Sequence, residues 1–219
     1  MTVTEDVSDA SDCHQLKRSF TMRALILLFL LPFFVAAEID KALQDQLLSM
    51  AERDQSIRKE LAEAGWKAAP PALFSKLSAI DHENTKTLKS ILSKQNWFTQ
   101  SEVGKEGIGA AFLIIQHSPD ASFQEKMLPV LKKSYLSNEG ISGQDVALLT
   151  DRVLVHKGQK QRYGTQADIS GGKVIFMPIA DFKSVDARRA EMKMPPLRVY
   201  KRLLEKMYGI KDHPDVDLN

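Results

Sequence analysis

The chain has 219 residues, and 30 lysines and arginines against 28 aspartates and glutamates give a formal charge of only +2. That balance, with no basic stripe interleaved by aromatics, argues against a nucleic-acid partner. A single cysteine, Cys13, excludes an internal disulfide framework, and no repeat or low-complexity linker divides the sequence.

Ala24–Ala37 reads ALILLFLLPFFVAA, follows Arg23 and ends in small residues. A basic start, a short apolar core and a small-residue exit are the pattern of a secretory signal, with cleavage expected after Ala37. The run is shorter than the roughly 20 residues of a spanning helix. No stable membrane insertion is therefore expected after cleavage, and an uncleaved anchor is the alternative. Met22 is the more natural start, which leaves residues 1–21 as an extension whose translation is open. The first 37 residues carry 3 of the basic and 4 of the acidic side chains, so 27 against 24 remain over residues 38–219. Those 182 residues suffice for one domain with a substantial core, destined for a bacterial periplasm or the exterior. We expect the domain over 38–210 and a polar tail over 211–219.

The expected fold is mainly α, a single helical domain with one small β-hairpin. Glu38–Ala64 carries an apolar stripe at Leu43, Leu47, Met50, Ile57 and Leu61. Asp54 interrupts that stripe, with Arg58 at salt-bridge spacing four residues on. Ala72–Lys94 repeats the pattern, with Asp81 and Asn84 where apolar residues are expected. Gly104–His117 is a close-packing helix that ends in Gln116-His117. Ser118 is the expected N-cap of the next helix, with Pro119 in its first turn and Asp120–Leu136 as its body. Gln124 lies one turn in. Ser142 and Asp145 open a fifth helix as a capping-box pair. Residues 163–168 and 173–178 flank Ser170-Gly171-Gly172 as a hairpin. Val185–Met192 and Pro196–Tyr208 close the chain as short helices.

The fifth helix holds Asp151 and Arg152 among Val146, Ala147, Leu148, Leu149, Val153, Leu154 and Val155. Apolar residues on nearly every side mark a buried helix, where an unpartnered charge costs several kcal/mol. Adjacent residues point about 100° apart, so each charge needs its own partner. After Gly158 comes a loop dense in hydrogen-bonding groups: Gln161, Tyr163, Thr165 and Gln166.

These residues form an ordered set of motifs: Asp54-x3-Arg58, Gln116-His117, Phe123-Gln124, Asp151-Arg152, Gly158-x2-Gln161-x-Tyr163-Gly164-Thr165-Gln166, Pro178-Ile179-x-Asp181, Val185-Asp186-x-Arg188-Arg189 and Pro195-Pro196-Leu197-x2-Tyr200. From about Met50 to Tyr208 the chain resembles an uncharacterised bacterial family, a domain of unknown function. Asn96-Trp97 departs from the Gly-Trp of that pattern, at a turn. The resemblance implies one domain and supplies no activity.

The candidate site gathers His117 and Asp151 as an acid–base pair. Arg58, Gln116, Gln124, Arg152, Gln161, Tyr163, Gln166, Arg188 and Arg189 are the expected ligand-binding groups. Asp54, Asp81, Asn84 and Asp186 are the expected supporting polar network. Such a set suits a small polar or anionic ligand, since arginines clamp carboxylates and phosphates bidentately. A hydrolase or proton-transfer enzyme using His117 and Asp151 is one alternative. A structural or partner-binding protein with a buried polar network is the other. No nucleophile motif is evident. His117-x2-Asp120 and Asp81-His82-Glu83 lack metal-site spacing, so neither metal nor cofactor is expected.

Overall fold

The computed structural model describes residues 38–66 and 68–210. The apolar segment read as an export signal, the extension before it and the polar tail lie outside the described residues.

Helix α1 (Lys41–Glu63) starts at Asp40, whose carboxylate accepts from the Leu43 amide at 3.0 Å. It buries Leu47, Met50, Asp54, Ile57 and Leu61, a stripe at three- and four-residue spacing. Helix α2 (Pro71–Leu92) begins with proline in its first turn, where the missing N–H costs nothing. Asn84 on α2 donates to the Met50 carbonyl at 3.1 Å, which ties the two helices together by a buried side chain.

Helix α3 (Gln100–His117) begins four residues earlier than the sequence reading, at a capping box of Thr99 and Glu102. Gly104 breaks it with φ 67°, and the continuous part follows. The break exposes the Val103 carbonyl, which accepts from the buried Gln44 amide of α1 at 2.8 Å. Beyond it Ile108, Ala111, Ile114 and Ile115 fill the centre of the core.

Helix α4 (Ala121–Leu136) is capped by Asp120, whose carboxylate accepts from the Phe123 amide at 2.9 Å. The cap is therefore Asp120 and not Ser118, whose hydroxyl instead accepts from the Asp120 amide. Helix α5 (Gly143–His156) carries the expected capping box of Ser142 and Asp145.

The strands are shorter than the sequence reading: β1 (Ala167–Ser170) pairs antiparallel with β2 (Lys173–Phe176). Gly171 and Gly172 both have positive φ, the geometry of the favoured two-residue hairpin turn. Residues 163–166 do not extend β1: the amides of Tyr163 and Thr165 are committed to Asp151 of α5, and that of Gln166 to the Gln161 side chain. A 3-10 turn (Phe182–Ser184) leads into α6 (Val185–Glu191), and α7 (Leu197–Met207) ends the described chain. The main core lies among α1 to α5, and Ala147, Tyr163 and Met194 form a second apolar cluster. The fold is mainly α, with seven helices and one two-stranded sheet among the described residues. None of those helices is long and apolar enough to cross a membrane.

Candidate functional site

The stripe that buries α1 delivers Asp54 into the protein with only 1% of its side chain exposed. Such a carboxylate needs several partners, and it has them. The Nδ1–H of His117, at the end of α3, donates to it, with both carboxylate oxygens at 2.9 Å. Arg58, one turn along α1, approaches Oδ1 at 2.9 Å, and the Gln55 amide donates to Oδ2 at 2.7 Å. Arg58 also grips Asp81 of α2 with both terminal nitrogens at 3.1 Å. Burial alone pushes the Asp54 carboxyl up, but the His117 hydrogen bond and charge, Gln55 and Arg58 outweigh it and hold the group below the usual carboxylate range.

The arrangement orients the imidazole. With Nδ1 committed to Asp54, the lone pair of the neutral ring sits on Nε2. No hydrogen bond to Nε2 is formed among the described residues, and the His117 side chain is 20% exposed.

Arg152 of α5 reaches the same helix end. With the Gln116 amide oriented so that its oxygen faces the guanidinium, that oxygen accepts from Nε and Nη2, both at 2.9 Å. No carboxylate of the described residues forms an ion pair with Arg152. Burial holds its guanidinium below the ordinary arginine range, and repulsion from Arg58 adds to this. Arg58 and Arg152 are thus electrostatic neighbours of unlike circumstance: one sits between two carboxylates, the other faces a neutral amide. His156, one turn on, is lowered by burial and by the Arg152 charge.

Asp151 faces elsewhere. Its side chain is fully buried and accepts from the amides of Arg162 at 2.7 Å, Tyr163 at 3.0 Å and Thr165 at 2.9 Å, and from the Thr165 hydroxyl at 3.0 Å. Burial raises its carboxyl, and these donors pull the other way without cancelling it. The expected pairing of His117 with Asp151 is therefore replaced by His117 with Asp54. All of the Asp151 acceptor capacity is used in folding the 162–165 loop over α5.

The rest of that loop is held in the same manner. Gln161 is fully buried, donates to the Gln166 and Met177 carbonyls, and accepts from the Gln166 amide. Gln166 donates to the Thr165 hydroxyl at 3.0 Å. Arg189 donates to the carbonyls of Tyr163 and Pro195, both at 2.7 Å, and stacks on the Tyr200 ring at 4.9 Å. Arg188 donates to the Arg162 and Ala180 carbonyls. Asp186 accepts from the first amide of α7, Leu197, at 2.7 Å. Gln124 commits its amide nitrogen, donating to the carbonyls of Ile115, Gln116 and Ser118 at the C-terminal end of α3.

The candidate residues thus separate into two systems. Asp54, Arg58, Asp81, Gln116, His117 and Arg152 form a partly exposed charged cluster at the meeting of α1, α2, α3 and α5. Asp151, Gln161, Tyr163, Gln166, Asp186, Arg188 and Arg189 lock the C-terminal third, while Asn84 and Gln124 serve the helix packing. Sequence reasoning missed Gln55, His156 and Tyr200 as members. Tyr200 donates to the Thr165 carbonyl at 3.2 Å and carries the Arg189 guanidinium on its ring, so it belongs to the second system. Its polar tip on the inward face of an amphipathic last helix was the available signal.

An open cleft of about 640 Å³ lies between α2 and the start of α4, lined by His82, Lys86, Lys89 and Asp120 among others. None of the candidate residues lines it. Among the described residues no group of three or more His, Cys, Asp or Glu side chains is placed to hold a metal ion. Chemically, the charged cluster offers an oriented imidazole and a guanidinium that no carboxylate of the described residues pairs.

No curated protein and no solved structure matches the chain. A family model does match it, over residues 41–213, nearly the whole stretch that carries the motifs. The chain belongs to the family of unknown function DUF6624.

Proposed function

We propose that the protein binds a small anionic ligand at Arg152, beside Gln116 and His117. The observation that carries this reading is the half-buried Arg152 guanidinium, bonded to the neutral Gln116 amide, repelled by Arg58 and paired with no carboxylate of the described residues. Partial burial without an opposite charge disfavours the cation, and an anion compensates it. A carboxylate or phosphate group does so in bidentate fashion. The signal-like segment before Glu38 supports export, so the ligand would be met in the periplasm or outside the cell.

The test is titration calorimetry of the purified protein with acetate and dimethyl phosphate, in wild type and in Arg152→Met. Binding of either anion by wild type and its loss in the variant is the expected result. Equal heats in both proteins would sink the reading. Fractionation of expressing cells, with N-terminal sequencing of the product, tests export.

A second reading is favoured by a separate observation. The buried Asp54 holds His117 in one tautomer, which is the arrangement of an acid–base group. An enzyme acting on the bound anion follows from it, with Asp54 in the place that sequence reasoning gave to Asp151.

A further inference from the structure

The following rests on the anion reading and gives it a chemistry. We propose that the protein is a phosphodiester hydrolase in which His117 activates water against a phosphodiester monoanion held on Arg152.

The charges of the cluster set the ligand class. Arg58 sits against two carboxylates, Asp54 and Asp81, so that end carries one surplus negative charge. Arg152 is in ion-pair contact with no carboxylate of the described residues. A monoanion on Arg152 and a proton on His117 would place every charge against an opposite one. The site is therefore matched to a singly charged ligand together with a cationic imidazole, which is the state reached when His117 acts as a base.

The geometry sets the reaction type. No hydroxyl or thiol of the described residues is hydrogen-bonded to His117, so none of them is an activated nucleophile there. Water is the remaining attacking group, and Nε2 is the nitrogen free to receive its proton. A carboxylate ligand would need a second, neutral electrophile at some distance from the guanidinium. In a phosphodiester the charged oxygens and the electrophilic phosphorus are one group, so the anchor holds the reacting centre itself. The guanidinium then also faces the charge that builds on the phosphoryl oxygens.

In the step, the water oxygen bonds to phosphorus as its proton passes to Nε2. The bond from phosphorus to the leaving oxygen breaks with its electron pair, and the imidazolium returns the proton to that oxygen. One diester and one water give one phosphomonoester and one alcohol. His117 is the catalytic residue. Asp54 is a positioning residue that fixes the tautomer and faces the imidazolium.

The experiment follows bis(4-nitrophenyl) phosphate hydrolysis by the full-length protein, with dimethyl phosphate binding measured in parallel. Wild type should turn the diester over, and dimethyl phosphate should compete with it. His117→Gln, whose amide can still donate to Asp54, should lose ~100-fold or more in kcat with little change in KM. Asp54→Asn should lower kcat and move the acid limb of the pH profile, and Asp54→Glu should recover part of both. The groups that bear on that limb are Asp54 and Arg58 from α1, Asp81 from α2, Arg152 and His156 from α5, and Tyr200 from α7. If wild type binds dimethyl phosphate yet hydrolyses no diester, the hydrolase is overturned and the anion site stands. If it binds neither compound, both fall. A folded His117→Gln with full activity overturns the proposal. Should that variant fail to fold, the wild-type profile decides: an acid-side loss of one proton supports it, and a flat profile from about pH 5 to 8 overturns it.

Discussion

Asp151 and Arg152 are consecutive in α5 and belong to different polar systems. The carboxylate of Asp151 is enclosed by the amides of the 162–165 loop, while the guanidinium of Arg152 points to Gln116 at the end of α3. The angular step of about 100° between neighbours on a helix makes this possible. One turn of α5 thereby fastens the C-terminal third of the molecule and presents a cation to the cluster around His117.

The Asp151 half of that relationship is a matter of folding. Asp151→Asn should leave buried amides with too few acceptors and set an N–H₂ group against N–H donors. The loss is expected at about 3 kcal/mol or more, which for a domain of this size lowers Tm by roughly 6–12 °C. Thermal unfolding followed by circular dichroism measures it. A shift under about 2 °C would mean that the loop is held by other contacts.

The Arg152 half carries the opposite sign. A half-buried guanidinium with no carboxylate partner among the described residues contributes little to folding, and replacing it with an apolar side chain of similar length removes its share of the desolvation cost. Arg152→Met should therefore unfold at the same temperature as wild type or a higher one, while losing anion binding. Stability gained at the expense of ligand affinity is what a functional residue shows. A large drop in Tm would instead place Arg152 among the structural groups.

Glycine positions offer a test of the packing alone. A Cβ on Gly143, at the start of α5, would lie 2.3 Å from the Met192 carbonyl oxygen and 2.9 Å from its carbon. Backbone cannot swing aside as a side chain can, so α5 or the turn after α6 must shift. Gly143→Ala should cost about 1–3 kcal/mol. Gly109 of α3 is the control, because a Cβ there meets nothing within 4 Å. Gly109→Ala should stabilise by roughly 0.4–1 kcal/mol, through helix propensity and a less disordered unfolded chain. The two variants should move Tm in opposite directions.

Much of the helical frame was legible because its signals are local. The stripe from Leu47 to Leu61, the Ser142–Asp145 box and the Ser170-Gly171-Gly172 turn each lie within a few residues. The cap of α4 was misread by two residues because Ser118, Pro119 and Asp120 all suit a helix start, and only the Asp120 carboxylate reaches the Phe123 amide. The first hairpin arm was misplaced for a different reason. Residues 163–166 look like strand, but Asp151 takes the amides of Tyr163 and Thr165, and that partner lies more than ten residues away, while the Gln161 side chain takes the Gln166 amide. The site suffered most from this limit. Asp54 was legible as a misplaced charge on an apolar stripe, and His117 as a group held between two helices. Their pairing spans 63 residues and is set by how α1 packs on α3, which no spacing in the sequence encodes. Asp151 was nearer to hand and more deeply set among apolar residues, so it drew the assignment instead.

The pairing of Asp54 with His117 has a consequence for acid stability whose sign follows from the carboxyl being held below its ordinary value of 3.8. In the unfolded chain Asp54 takes up its proton near that value. In the folded protein it does so only at lower pH, because protonation forfeits His117, Gln55 and Arg58 as partners. Between the two values the unfolded state binds more protons, so stability falls as the pH falls. The contribution is complete above the unfolded value and is lost as the pH passes down through the folded one. Asp54→Asn cannot titrate and lacks this contribution throughout. The gap in unfolding free energy between wild type and Asp54→Asn should therefore shrink steadily as the pH falls below about 4. Urea unfolding at a series of pH values measures that gap. A gap that failed to shrink below about pH 4 would mean that the carboxylate form of Asp54 gains nothing from its partners, and then it could not orient the imidazole of His117.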